Sequence, residues 1–141
     1  MRNPTEPLEL ADLLAQLHRE TSTEVSRILR SGGLPVEQWR VLNALSDGNG
    51  RTMSDLASRV FMNLPTLSKA VDRMVTRALV HRKQDSEDHR RVLVYITDIG
   101  LELRRQHQPG VAAYYAGLAD RLGDRQAAQL NRLLKKVLTQ A

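Results

Sequence analysis

The sequence predicts a mostly α-helical chain interrupted by one small β-hairpin, and three observations carry that prediction. Leucine, alanine, valine and arginine are abundant while aromatic residues are few, a composition suited to helices around an aliphatic core. Apolar residues recur at three- and four-residue steps over most of the chain. Only the stretch Val92–Thr97, VLVYIT, is dense in β-branched residues, and a short strand-like segment and a polar loop precede it.

The 141 residues suit one integrated domain. Without cysteine there is no disulfide, thiolate metal site or thiol redox switch. No stretch approaches the ~18 apolar residues of a membrane span, so a soluble, cytoplasmic protein is expected. The four histidines, His18, His81, His89 and His107, lack metal-ligand spacing. No glycine-rich phosphate loop, nucleophile triad or carboxylate pair stands out either. The expectation is a protein that is not an enzyme and uses no metal or cofactor. The net charge of +5 is compatible with a polyanionic partner but does not locate one. Residues 1–34 carry four basic against five acidic side chains, residues 35–100 ten against eight, and residues 101–141 seven against three.

In the first helix, Leu8 to about Arg30, the residues Leu10, Leu13, Leu14, Leu17, Val25, Ile28 and Leu29 form one stripe. Ser31-Gly32-Gly33 ends it. Pro35 suits the first turn of a second helix, with Val36, Trp39, Val41, Leu42 and Leu45 inward, which stops at Asp47-Gly48-Asn49-Gly50. Thr52 with Asp55 resembles a capping box and opens a short third helix whose inner residues are Leu56, Ala57 and Val60. The next turn lacks glycine; Phe61 stands there, so a turn of different shape is expected, with Asn63 strained or capping the following helix.

The fourth helix, from Pro65 to about Leu79, puts Leu67, Ala70, Val71, Met74 and Val75 inward. Thr66, Lys69 and Arg73 form an exposed row with Ser68 and Asp72 beside it, a pattern that suits base edges and phosphates. An ordinary amphipathic helix also has a polar face, so this helix alone does not decide. The hairpin that follows tips the balance. Its strands, Val80–Lys83 and Val92–Thr97, enclose a loop with Asp88, His89, Arg90 and Arg91, and Val92, Val94 and Ile96 are expected to share a core face. Arginine suits a narrow minor groove, and Asp88 can hold one arginine extended through a bidentate pair. Helix, turn, helix and hairpin in that order read as a winged helix-turn-helix, whose usual partner is duplex DNA.

Thr97-Asp98-Ile99-Gly100 caps a fifth helix, in which Gln108-Pro109-Gly110 predicts a kink or break. Beyond Gly123-Asp124, a last helix repeats Ala127, Leu130, Leu133, Leu134, Val137 and Leu138 at near-heptad spacing. Such stripes at both ends point to a two-fold homodimer, spacing two reading helices by roughly 34–36 Å.

Several of these residues together resemble the MarR family of bacterial transcriptional regulators. They are Leu56-Ala57, the run Leu67-Ser68-Lys69-Ala70-Val71-Asp72-Arg73-Met74, Leu79-Val80, Asp88-His89-Arg90-Arg91 and Thr97-Asp98-Ile99-Gly100. The resemblance covers about residues 8–140. It implies a winged helix-turn-helix core at 35–100 with dimerisation helices at 1–34 and 101–141. It also implies a homodimer on a palindromic DNA operator, usually a repressor released by a small aromatic or phenolic effector. By the same resemblance Thr66, Ser68, Lys69 and Arg73 touch the major groove, Arg90 enters the minor groove positioned by Asp88, and Arg91 backs it on phosphate. An effector would meet His18, Trp39, Tyr114 and Tyr115. Phe61 and Ala78 depart from the family pattern, which often has glycine at both positions. A winged helix used only for protein contacts is the rival reading, and it predicts no salt-dependent binding to DNA.

Overall fold

The computed structural model describes residues 6–139, and within them helices α1 to α6 and strands β1 and β2 follow the predicted order. Helix α1 (Glu6–Leu29) runs into a 3₁₀ turn, Arg30–Gly32, and Gly33 closes it at φ 58°. Of the α1 stripe, Val25 and Leu29 are buried; Leu10, Leu13, Leu14 and Leu17 are exposed. Helix α2 (Val36–Ala44) starts after Pro35, which sits at the extended N-cap position and not inside the first turn as expected.

Helix α3 (Met53–Val60) is capped as its sequence promised: Asp55 N–H donates to Thr52 Oγ1 at 3.1 Å. Helix α4 (Leu64–Thr76) has its own cap, Thr66 N–H donating to Asn63 Oδ1 at 2.8 Å. Leu67, Ala70, Val71 and Met74 are buried beneath it. Val75, expected inside, is exposed, because its position on the helical wheel falls at the edge of the apolar stripe.

The turn between α3 and α4 corrects an expectation. It keeps the left-handed geometry that glycine would favour, and Phe61 itself takes it, at φ 58° and ψ 42°. Three residues must reverse the chain, and the left-handed residue lets the N–H groups of Phe61 and Met62 both reach Ala57 O. Ala78 does the same after α4, at φ 59°. A side chain in this region costs ~1–2 kcal/mol, and Phe61 recovers none of it through burial, being 87% exposed. Phe61→Gly should therefore raise unfolding free energy by about 0.5–1 kcal/mol after glycine's own entropic cost. A thermal melt reads this directly, and a lowered midpoint would contradict the strain.

Strand β1 (Val80–Gln84) pairs antiparallel with β2 (Val92–Ile96), from Val80 opposite Ile96 to Gln84 opposite Val92. Arg51 forms an isolated bridge to β2, exchanging backbone hydrogen bonds with Val94. Val94 and Ile96 are buried as expected; Val92 is not, because the hairpin extends past the core before it turns. On its outer side His81 stacks on Tyr95 with ring centres 5.4 Å apart. The core is enclosed by α2, α3, α4 and the hairpin, with Leu42, Leu45, Leu56, Leu67, Val71, Met74 and Val94 fully buried.

Helix α5 (Asp98–Leu122) is continuous through Pro109, so of the kink or break expected there the break does not occur. Proline's fixed φ is itself helical, and one lost N–H bond on an exposed helix is tolerable. The chain divides into two compact units after His107. In the second unit α5 ends at Gly123, and α6 (Asp124–Thr139) has no buried residue, with Leu130, Leu133, Leu134, Val137 and Leu138 exposed.

Candidate nucleic-acid interface

All the side chains expected to meet DNA lie in the first compact unit, on α4 and the hairpin loop. The exposed surface of α4 has two flanks. Thr66, Lys69 and Arg73 occupy one and border a cleft of about 290 Å³, whose other wall is Pro35, Glu37 and Gln38 at the start of α2. Ser68 and Asp72 occupy the other, toward the hairpin, where Asp72 Oδ1 accepts from Arg82 on β1 at 2.6 Å. The row read from sequence as exposed is exposed, and it also borders this cleft against the start of α2.

At the hairpin tip Asp88 is a local organiser. Its Oδ1 accepts from the Arg90 backbone N–H and from Arg90 Nε, both at 3.1 Å, and its Oδ2 accepts from the Arg90 guanidinium at 3.4 Å. The Arg90 side-chain hydrogen bond, then the Arg90 backbone N–H, hold the Asp88 carboxyl below the ordinary carboxylate range. Burial acts weakly in the opposite sense. The side chain of Arg90 nonetheless remains 91% exposed, an arginine aimed and unspent. Arg91 Nη1 lies 3.9 Å from Asp85, and the Asp85 and Arg91 backbones close the loop base at 2.9 Å.

Other arginines of this region are committed to the fold. Arg51 Nε donates to Ala44 O at 2.9 Å while its guanidinium bridges Asp47 and Asp55, with 14% of the side chain exposed. Arg77 donates to the carbonyls of Gly33 and Gly32 at 2.8 and 2.9 Å, tying the end of α4 to the turn after α1. Sequence reasoning missed Arg77, Arg82 and Gln38. A signal existed only for Gln38, the polar member of the buried stripe that it shares with Leu42 and Leu45.

The four residues expected at an effector are distributed differently from one another. His18 borders a cavity of about 230 Å³ together with Ser22, Ser26, Pro35, Val36, Glu37 and Arg40. Trp39 is buried in the core and does not line that cavity. Tyr114 and Tyr115 lie in the second unit, edge to face with ring centres 5.3 Å apart. Among the described residues no cluster of His, Cys, Asp or Glu suits a metal, and no helix is long and apolar enough to cross a membrane.

A helix-turn-helix backed by a hairpin with an exposed arginine at its tip defines a winged helix-turn-helix protein, a class whose usual partner is duplex DNA. Comparison with known proteins places it more closely. The model for the MarR family matches residues 32–91. The chain is 30% identical over 124 residues to the HTH-type transcriptional repressor IacR of Pseudomonas putida, covering 88% of this chain and 74% of that protein. Its fold superposes on the transcriptional regulator BldR of Sulfolobus solfataricus with a TM-score of 0.86, at 26% identity and 100% coverage of both chains. It matches a MarR variant of Escherichia coli, solved in complex with operator DNA, with a TM-score of 0.86 at 26% identity, covering 98% and 99% of the two chains. The chain belongs to the MarR family of transcriptional regulators.

Proposed function

We propose that this chain works as a homodimeric repressor in the cytoplasm, gripping a palindromic operator with α4 at the major groove and Arg90 in the minor groove. The observation that carries the reading is the wing tip: a guanidinium oriented by Asp88 alone keeps 91% of its side chain exposed and so available to a partner. Thr66, Ser68, Lys69 and Arg73 accompany it on α4, and Arg91 backs it toward phosphate. The exposed leucines of α1 and α6 supply self-complementary apolar faces for a two-fold partner.

An aromatic or phenolic acid is the fitting effector class. Support comes from the cavity beside α1, where Arg40 and His18 offer a cation and a donor to a carboxylate or phenol. It also comes from relatives such as the homoprotocatechuate degradative operon repressor of Escherichia coli, 25% identical over 111 residues.

The deciding measurement is fluorescence anisotropy on duplex DNA from the region flanking the coding sequence, across a salt series. Log affinity should fall steeply with log salt, and Arg90→Ala should reduce that slope by about one unit. Absence of salt-dependent binding to any duplex would leave a winged helix used for protein contacts. Release of the DNA by an aromatic acid, blunted in Arg40→Ala, tests the effector.

A further inference from the structure

We propose that Phe61, in the turn that leads into α4, is a specificity-determining residue: its ring packs on the C5-methyl group of a thymine in the major groove. The inference rests on the DNA-binding reading above and adds an apolar contact to the polar ones named there.

The fold gains nothing from this ring. Phe61 holds a left-handed backbone at φ 58° and ψ 42°, which glycine would adopt without strain, and it is 87% exposed. The bonds that close the turn onto Ala57 O come from the backbone N–H groups of Phe61 and Met62, so any residue at this position could form them. Among the described residues the aromatic contacts are His81 with Tyr95 and Tyr114 with Tyr115, and Phe61 has no part in them. Local strain that packing does not offset is characteristic of positions where a side chain acts on something outside the fold.

Position indicates what that is. Phe61 stands two residues before Asn63, the N-cap of α4, and Asn63, Leu64, Pro65 and Thr66 are all exposed after it. The ring therefore belongs to the leading end of the helix, and the N-terminal residues of a recognition helix are those that reach base edges.

Chemistry narrows the target further. No charged residue lies between Arg59 and Lys69, and the large exposed side chains of that interval are apolar, Phe61 and Leu64. Phosphates are met by cations and N–H donors, which this edge lacks in its side chains. In the major groove guanine, cytosine and adenine present hydrogen-bonding groups, whereas thymine adds a methyl group. An aromatic ring gains from covering that methyl and from nothing else on the groove floor. A protein partner is the poorer occupant, because two apolar side chains fall far short of the ~800 Å² per partner of a standard interface.

The test uses the full-length protein, the tightest-binding duplex from the region flanking the coding sequence, and an unrelated duplex. Each thymine of the first duplex is replaced in turn by deoxyuridine, symmetrically in both halves, which removes the methyl and no hydrogen-bonding group. At one position the wild type should bind more weakly by about fourfold for each methyl lost. Phe61→Gly and Phe61→Ala should weaken the unmodified duplex by a similar factor and should no longer respond to deoxyuridine at that position. Neither should alter the salt slope or the affinity for the unrelated duplex, since no charge is removed. Phe61→Gly should do this while melting at a higher temperature than the parent, so that lost affinity cannot be ascribed to a damaged fold. Unchanged affinity in both variants overturns the proposal, as does a deoxyuridine effect that persists in them or an equal loss on both duplexes. A change of oligomeric state at unchanged DNA affinity assigns the ring to a protein contact and overturns it too. A wild type that binds no duplex in a salt-dependent way removes the DNA reading itself, and this contact with it.

Discussion

Truncating Leu67 to alanine should lower the free energy of unfolding by about 2–5 kcal/mol, a large part of the roughly 5–15 kcal/mol available to a typical domain. Leu67 is fully buried on the inner face of α4, where that helix packs on α2 and α3. The loss has two parts: the transfer free energy of the missing methyl groups, and a cavity that rigid helices on both sides cannot collapse. Leu64, three residues earlier on the same helix and 49% exposed, provides the contrast. Leu64→Ala should stay within about 0.5 kcal/mol of the parent. Urea unfolding of both variants at equal protein concentration checks the pair, since dimerisation makes apparent stability concentration-dependent. Similar losses for both would mean that α4 is not seated as described. A destabilised Leu67→Ala should also bind DNA less well without having touched it, because α4 is the helix proposed to enter the major groove.

Gly100→Ala should be the second severe change, near the upper end of the ~1–3 kcal/mol that overpacking costs. An added Cβ would stand 2.3 Å from Leu79 O and 2.9 Å from Ile96 Cγ1. The Leu79 carbonyl cannot move aside cheaply. It accepts from Thr97 N–H at 3.1 Å and Thr97 Oγ1 at 3.0 Å, and it joins the end of α4 to the hairpin and to the start of α5. Gly50→Ala is the informative comparison. There the new Cβ meets the ring of Tyr95, 2.4 Å from Cζ, and a side chain can swing where a carbonyl cannot. The cost at Gly50 should therefore be smaller and confined to the His81–Tyr95 stack. Thermal melts of the two variants, with near-ultraviolet dichroism to follow Tyr95, separate the cases. A Gly50 variant less stable than the Gly100 variant would reverse the argument.

The sequence by itself determined what neighbouring residues settle among themselves. Thr52 and Asn63 cap their helices, and Asp88 orients Arg90, through bonds that span two or three residues. The element order and most of the α4 core face followed from periodicity, and Leu67, Ala70, Val71 and Met74 are buried as read.

Tertiary structure decided the rest, because those outcomes depend on partners far away in the chain. Arg77 is spent on carbonyls 44 and 45 residues away, and Arg82 on a carboxylate ten residues away across the turn from α4 to β1. The Thr66, Lys69, Arg73 row faces the start of α2, which no pattern within α4 can reveal. Phe61 accepts a left-handed backbone because closing the turn onto Ala57 outweighs a local preference worth ~1–2 kcal/mol. Pro109 stays helical for a related reason: the ~3 kcal/mol that an interior proline costs is outweighed by the many bonds of a 25-residue helix. Local preferences of this size are overruled whenever packing offers more, so sequence revealed which groups could act and the fold decided which of them are free to do so.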